Sequence, residues 1–385
     1  QFYLEGHIAM ALPQEDGGIL VYSSTQHPDE VQSIVAHATQ REAKDIVVIC
    51  RRMGGAFGGK ESQAALIACI AVLAADKTGR PCKLRLDRDD DMIMTGKRHD
   101  FVIDYDVGFD DDGRILGIDF EFAARCGMSA DLSGPVNDRA MFHCDNAYFL
   151  ENVRIVSHRC KTNTVSNTAF RGFGGPQGMF AIECVIDDIA RSLGKDPLAV
   201  RRHNFYGEEE RNVTHYQQVV EGNVADELFD RLLASSDYEE RRKEIQAFNT
   251  SSRVLKRGIA ITPVKFGISF TSTLLNQAGA LVHVYKDGTV ALNHGGTEMG
   301  QGLYIKVAQV VADELGISIE RVGITAADTS KVPNASATAA SSGSDMNGKA
   351  AQKAAAKIRK RITAFAARHY GVSEAEIDFR NDEAH

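Results

Sequence analysis

The stretch Met53-Gly-Gly-Ala-Phe-Gly-Gly-Lys-Glu61 follows a run of β-branched residues at 45–50 and precedes an apolar helical pattern at 62–75. A strand, a glycine-rich turn and a helix in that order bring backbone N–H groups and a helix N-terminus to one place. Two more glycine-rich loops follow, Phe170-Arg-Gly-Phe-Gly-Gly-Pro-Gln-Gly178 and Gly295-Gly-Thr-Glu-Met-Gly-Gln-Gly302, each leading into a helical pattern. One such loop is a turn signal. Three predict a chain that lays backbone donors bare against something anionic or strongly polar, with plain tight turns or close-packing sites as the simpler alternative.

The first loop nearly meets the phosphate-loop rule, with Gly54, four residues, Gly59 and Lys60. The next position should carry a hydroxyl for Mg²⁺; here it is Glu61, a negative charge where a triphosphate would lie. The nucleotide reading is therefore disfavoured. Phe57, Phe170, Phe173, Arg171, Gln177 and Gln301 place flat apolar faces beside amide and guanidinium donors in the same loops. That mixture suits a planar, heteroatom-rich ligand better than a bare phosphate. A fourth segment, residues 335–344, is built of Ala, Ser, Thr and Gly and precedes a helical pattern; it reads either as a flexible loop or as a backbone that a ligand can approach closely.

Around the loops, residues 18–23 read as a strand and 29–38 as a helix. The helix at 62–75 is apolar on all sides and so reads as buried. Alternation at 101–109, a turn at Asp112-Gly113 and a return through 115–122 predict a hairpin; 281–285 and 289–292 around Asp287-Gly288 predict another. Helical patterns cover 177–193, 197–204, 226–234, 239–248, 303–315 and the Ala/Lys/Arg-rich 347–370. Composition turns polar and charged between 205 and 223, which divides the sequence into domains 1–210 and 222–385. Strand–loop–helix units on both sides predict an α+β class of duplicated antiparallel-sheet and helix units rather than a doubly wound parallel sheet.

At 385 residues, 43% apolar and 25% charged, the composition is globular. A net charge of −8 argues against nucleic acid and anionic membranes as partners. Seven scattered cysteines without a C-x-x-C pair read as buried thiols in a reducing, cytoplasmic setting. The apolar helix is too short to span a bilayer, and no secretory signal opens the chain. The acidic run 87–91 reads as the start of a solvated helix rather than a metal site. The histidines show no ligand spacing, and no Ser/His/Asp nucleophile set announces itself. Gln1 at the start and a fresh capping-box pair, Ser373 and Glu376, near the end read as an excised piece of a longer protein.

The strings Arg52-Met-Gly-Gly-Ala-Phe-Gly-Gly-Lys-Glu61, Asn167-Thr-Ala-Phe-Arg-Gly-Phe-Gly-Gly-Pro-Gln-Gly178, Lys265-Phe-Gly-Ile-Ser-Phe-Thr271, Gly295-Gly-Thr-Glu-Met-Gly-Gln-Gly302 and Thr338-Ala-Ala-Ser341 resemble the molybdenum-binding portion of the xanthine dehydrogenase family of molybdenum hydroxylases. The likeness runs through the whole chain. It implies two molybdopterin-binding domains and a molybdenum–molybdopterin cofactor, in the plain or the cytosine dinucleotide form. It implies hydroxylation of hypoxanthine or xanthine towards urate with oxygen from water. Iron–sulfur clusters, FAD and NAD are implied elsewhere, on a partner subunit in bacterial members.

By the same resemblance, Gln26 matches the glutamine that hydrogen-bonds a molybdenum oxygen, Phe57 and Gly58 the loop beside the metal, and Arg171 a backbone contact to it. Gly300, Gln301 and Ser341 match cofactor-binding stretches. Phe173 and Phe270 match the pair that holds the purine, and Glu61 and Arg139 the polar residues that orient it. Thr271, Ala339 and Ala340 match further pocket wall, Ala340 also lying near the metal. The physics agrees: two Phe rings hold π-faces without choosing an orientation, and an acid with a fixed cation reads a donor and an acceptor together. Negative charge accumulating on the attacked ring is stabilised by a pre-placed Arg139. Alone, Arg139 would read as a surface or helix residue and Glu61 as a helix-start carboxylate favoured by the dipole.

The family's general base is a glutamate in a Gly-Glu-Pro phrase, and none occurs here; Gly207-Glu208 lacks the proline. The catalytic base is therefore expected outside this chain, and the chain alone is expected to lack turnover and stable cofactor. An aldehyde oxidase-type relative shares the scaffold but should not need Glu61 and Arg139 together. A carbon monoxide oxidiser would carry a cysteine in the loop at 169–173, and none is there. The alternative of a different class is a non-catalytic nucleotide- or partner-binding module that relies on Lys60.

Overall fold

Alternate small apolar residues begin the first sheet. In the computed structural model, which describes residues 1–270 and 272–385, β1 (Ile8–Pro13) buries Ala9 and Ala11 and pairs antiparallel with β2 (Ile19–Ser23). The chain crosses over through α1 (Pro28–Thr39) to β3 (Ile46–Cys50), which lies parallel to β2. The glycine loop 53–61 then leads into α2 (Ala64–Thr78). The helix α1 packs on β3 and α2 on β1, enclosing Val31, Val35, Ile46, Val48, Ile67 and Val72. Each such side chain is worth about 1.5–3 kcal/mol when fully buried. The other edge of the sheet is β4 (Cys82–Arg85), beside β1, and α3 (Arg88–Met94) follows.

Two expectations change here. The helix α2 is not buried all round: Leu66, Ile70 and Leu73 stand exposed, because its packing on β1, β4 and α1 uses only the other faces. Asp87 does cap α3, accepting from the Asp90 N–H at 2.8 Å, but Asp91 is buried rather than solvated. Asp91 accepts from the Tyr3 hydroxyl at 2.8 Å and the His7 N–H at 2.7 Å. Burial would raise its carboxyl, and those donors together with the His7 ring hold it well below the usual range.

The next hairpin joins β5 (Phe101–Phe109) and β6 (Ile115–Gly127), with a register shift at Gly108 and Phe109. A crossover through α4 (Ser133–Phe142) reaches β7 (Val153–Lys161), parallel to β6, and the second glycine loop opens α5 (Gly175–Leu193). Phe120 and Phe122 of β6 meet Ile182, Val185, Ile186 and Ile189 of α5 in the core. The helices α6 (Pro197–Asn204), α7 (Ala225–Ser235) and α8 (Tyr238–Ser251) complete this part.

The same order returns a third time. The hairpin of β8 (Ala280–Val284) and β9 (Val290–His294) crosses through α9 (Leu303–Leu315) to β10 (Val322–Ile324), parallel to β9. A short β11 (Ala327–Asp328) pairs with β3, and the 335–342 segment opens the long α10 (Gly343–Tyr370). A small ladder of β12 (Phe379–Arg380) and β13 (Glu383–Ala384) ends the chain. Here too the first helix packs on the third strand and the second helix on the first strand.

Among the described residues, hairpin, helix, parallel strand, loop and helix thus recur three times. The middle copy was hidden because Gly134, Pro135 and Asn137 weaken the helical pattern of α4. By contacts the chain forms two units interleaved in sequence. The first is Gln1–Arg98, Val165–Arg171 and Ile268–His385, holding the first and third copies; the second is His99–Thr164 and Gly172–Gly267, holding the middle one. The compositional division at 211–221 is a division of sequence and falls inside the second unit.

In the second unit, Gly174 and Gly178 bring the start of α5 against the backbone of α4. A Cβ on Gly178 would run into the Ala140 carbonyl oxygen, whereas one on Gly108 would meet nothing within 4 Å. Gly178→Ala is expected to lower stability by about 1–3 kcal/mol in urea unfolding, and Gly108→Ala to stay within about 0.5 kcal/mol of the parent. Equal effects would show that the α4–α5 approach does not depend on Gly178.

Candidate functional site

Gln26 follows the carboxyl end of β2, the loop 53–61 that of β3, the loop 295–302 that of β9, and the segment 335–342 comes after β10. The loop 53–61 and the segment 335–342 meet at the buried Gln26 side chain, and the loop 295–302 joins them through Thr338 and Met53. Its amide oxygen accepts from the Gly58 N–H at 2.9 Å, and its Nε2 donates to the Thr338 carbonyl at 3.1 Å. Its backbone N–H donates to the Lys60 carbonyl at 2.8 Å, and its carbonyl accepts from the Thr338 N–H at 2.9 Å. Thr338 Oγ1 accepts from the Thr297 N–H at 2.8 Å, and the Glu298 carbonyl from the Met53 N–H at 2.8 Å. An amide nitrogen carries two hydrogens, so Gln26 keeps one beyond its bond to Thr338.

The Phe57 carbonyl accepts from the Arg171 N–H at 3.0 Å. Gly58, at φ +97°, passes so near Ala169 that a Cβ would lie 2.8 Å from its carbonyl carbon. Gln26, Phe57, Gly58 and the Arg171 backbone are therefore brought together. The Arg98 guanidinium, 4.2 Å over the Phe170 ring, donates to the Arg171 carbonyl at 2.7 Å and steadies that turn. Ala340 and Ser341 lie in left-handed conformations at φ 54° and 57°, as does the exposed Phe57 at 54°. Such strain, about 1–2 kcal/mol per residue, persists only where the surroundings over-determine it. The Ala340 carbonyl accepts from the Ser269 N–H at 2.8 Å, and the Ala339 carbonyl from the Ser342 N–H at 3.3 Å.

Beside Ser269, Asn276 grips Phe270 from both sides: its Oδ1 accepts from the Phe270 N–H and its Nδ2 donates to the Phe270 carbonyl, each at 3.0 Å. Thr271 lies outside the described residues. Gly300, at φ +107°, is exposed with open space where a Cβ would be. Gln301 folds back on its loop, accepting from the Met299 N–H at 2.7 Å and donating to the Thr297 carbonyl at 3.0 Å. Glu61 is buried at the end of the first loop, its N–H 3.3 Å from the Gly58 carbonyl.

Lys60 points the other way. Its ammonium is fully buried, donating to Ser24 Oγ at 2.8 Å and to Glu5 Oε1 at 3.2 Å, and it lies 4.9 Å from the centroid of the Tyr3 ring. Burial lowers it, with Glu5 opposing. A phosphate at the loop could not reach that charge. The glycines also differ from their first reading. At 58, 174, 178, 295 and 296 a Cβ would strike the chain itself, so they serve close packing; Gly300 keeps the open approach expected of all three loops.

In the second unit, Arg139 lies on α4, buried, with Nη1 3.0 Å from the Gly267 carbonyl and the guanidinium 5.4 Å from the Phe266 centroid. Burial lowers its affinity for the proton. Phe173, half-buried, is left-handed at φ 51°. The second unit also holds a cavity of about 1160 Å³, lined by Asp106, Asp119, Arg154 and His215 among others; none of the residues singled out from sequence lies in it. Among the described residues no three His, Cys, Asp or Glu side chains gather as a metal-ligand set. Sequence reasoning missed Thr338, Asn276 and Glu298. Only Glu298 carried a signal, an acid just ahead of a helix start.

Residues 1–205 match the model of a molybdopterin cofactor-binding domain and residues 231–385 that of another; the gap contains the polar stretch 211–221. The xanthine dehydrogenase of Calliphora vicina is 48% identical over 361 residues, 94% of this chain and 26% of that protein. The xanthine dehydrogenase/oxidase of Gallus gallus is 48% identical over 362 residues, again 94% and 26%. The chain thus spans about a quarter of the length of these curated relatives. The quinoline 2-oxidoreductase of Pseudomonas putida 86 superposes with a TM-score of 0.86 over 99% of this chain and 50% of that one; at 23% identity this is a likeness of fold.

His27, next to Gln26, gives the network a pH dependence. Its Nδ1 lies 2.9 Å from Glu30 Oε2 and its Nε2 3.1 Å from the Ala335 carbonyl, so both nitrogens face acceptors and the ring is an imidazolium. Burial alone would lower it; Glu30 first, then Glu61 and Asp29, raise it above the ordinary 6.5. Stability from a raised group is complete below the unfolded value and is lost as pH rises through the folded one. The advantage of the parent over His27→Gln in urea unfolding is expected to be largest near about pH 6 and to shrink as pH is raised from there. An advantage that grew with pH would refute the imidazolium assignment.

Proposed function

The chain belongs to the molybdopterin cofactor-binding domain family, and from that membership we propose that it is the cofactor- and substrate-binding part of a xanthine dehydrogenase-type enzyme that hydroxylates hypoxanthine and xanthine towards urate. The observation that carries the reading is the convergence of Gln26, Phe57, Gly58, the Arg171 backbone and residues 338–341 on one network, with Glu61 buried in the same loop. Those residues fit the cofactor. A ligand oxygen can take the remaining Nε2 hydrogen of Gln26, and a flat ring system can approach Gly300 where no Cβ intervenes.

When bound, the cofactor would supply the activation of water and the two-electron oxidation. The chain's own part is recognition and charge. Glu61 accepts N–H donors from the purine edge. Arg139, anchored by Gly267, offers guanidinium N–H groups to negative charge growing on the ring, which favours the transition state over the ground state. Phe270, gripped by Asn276, and Phe173 present ring faces to the purine. Ala339, Ala340 and Thr271 belong to the pocket wall in this reading and Ser341 to a cofactor-binding stretch, and 1–210 and 222–385 are its two sequence domains.

Iron–sulfur and FAD centres, NAD as acceptor and a cytoplasmic setting complete the proposal as parts supplied elsewhere. Among the described residues no helix is long and apolar enough to cross a membrane. The nucleotide-binding alternative loses its lysine, whose buried ammonium is bonded to Glu5 and Ser24.

Arg139→Met and Glu61→Val in the full-length enzyme separate a purine from an aldehyde enzyme. Each is expected to lower kcat/KM for xanthine by about 10²–10³-fold and for a simple aldehyde by less than about tenfold. Parallel losses on both substrates would refute the purine assignment.

A further inference from the structure

We infer that Glu298 is a positioning residue for the loop 295–302: its carboxylate fills the N-terminus of α9 from within, so the loop meets its ligand through Gly300 and Gln301 and not through the helix N–H groups. The inference rests on the reading of that loop as a cofactor contact.

The first N–H groups of a helix have no partner inside it, and the helix dipole makes them a cradle for anions. Gly302, the residue before α9, has no side chain to cap them. Glu298 supplies the cap from four residues upstream. Its Oε1 accepts from the Gly300 N–H at 2.8 Å and the Gly302 N–H at 3.1 Å, and its Oε2 from the Tyr304 N–H at 3.1 Å. Burial would raise this carboxyl, but those N–H groups hold it below its ordinary value. A left-handed backbone at both Gly300 and Gly302 turns the loop around the carboxylate. Gln301 then closes the outside of the turn through Met299 and Thr297.

The same residue fixes where the turn stands. The Glu298 carbonyl takes the Met53 N–H, and the Tyr304 hydroxyl donates to the Arg51 carbonyl at 3.2 Å, so the loop and the α9 start are tied to the first glycine loop and to the residues that lead into it. Two consequences follow from the charge. A phosphate approaching these N–H groups meets a carboxylate already in place and is repelled. What the loop offers outward is neutral: the open face of Gly300 and the exposed side chain of Gln301, its amide folded back on Met299 and Thr297. The anionic part of a cofactor must therefore be held by other groups.

In the full-length enzyme, Glu298→Ala, Glu298→Gln and Gly300→Val are compared for the rate at which molybdenum and pterin are lost on dilution and gel filtration, read by metal analysis and pterin fluorescence. Glu298→Ala is expected to lose cofactor about tenfold faster than the parent, the size of a lost charged hydrogen-bond set, and added acetate, which refills the vacated cradle, to slow that loss in the variant alone. Glu298→Gln, which keeps an acceptor oxygen without the charge, is expected to fall between and to report on the carboxylate if the alanine variant does not fold. Gly300→Val, strained at positive φ, is expected to lose cofactor whatever residue 298 is. Parental retention in both Glu298 variants while Gly300→Val loses cofactor overturns the inference, as does a loss that acetate leaves unchanged; parental retention in Gly300→Val overturns the cofactor reading of the loop beneath it.

Discussion

A single side-chain amide holds the loops of the first unit in place. An amide taken out of water costs several kcal/mol unless both its ends are bonded, and Gln26 is bonded at both, by the Gly58 N–H and the Thr338 carbonyl. Because both partners are backbone groups of opposite polarity, the amide has only one acceptable orientation. A flipped amide would set N–H against N–H and oxygen against oxygen. The bond thus registers the loop after β3 against the segment leading into α10, and through Thr338 against the loop after β9. The strained turns at Phe57, Ala340 and Ser341 are tolerable because the segments that contain them are pinned on both sides.

Why the loops gather there at all follows from the repeated unit. A hairpin followed by a helical crossover leaves two parallel strands pointing the same way, and the open ends of an α/β sheet lie beyond their carboxyl ends. Each copy contributes two segments at that end, one into the crossover helix and one into the helix after it. Gln26 and the loop 53–61 are those segments in the first copy, and the loop 295–302 and the segment 335–342 in the third. In the middle copy Phe173 holds the corresponding place ahead of α5, on its own unit, whereas Arg139 stands inside the crossover helix, in the last turn of α4.

Strands and helices with strong periodicity were legible in the chain: β2, β3, both hairpins and the helices α5, α6 and α9 lie where the patterns put them. The helix α4 was not, since tertiary packing against α5 outweighs its poor propensity. The burial of Asp91 was not either, because its partners Tyr3 and His7 are more than eighty residues away. Sequence grouped the three glycine loops by composition, and local strings do carry the likeness to a family. What they cannot carry is which way a side chain turns. Lys60 and Glu61 are neighbours in one string, yet the lysine turns into the core to meet Glu5 and Ser24. Thr338 and Asn276 act through atoms whose partners no spacing reveals.

The division of labour inside the glycine loops has a consequence for how such a site can change. Gly58, Gly174, Gly178, Gly295 and Gly296 are spent on letting one stretch of chain lie against another. Phe57, Phe173 and Gln301, threaded among them, carry side chains that the close packing does not require. Two vocabularies are therefore interleaved in the same few letters, one fixed by the scaffold and one that the scaffold leaves open. A substitution in the second can change the surface that the loops present while the scaffold stays as it was, so the face of the loops can vary without the architecture being rebuilt.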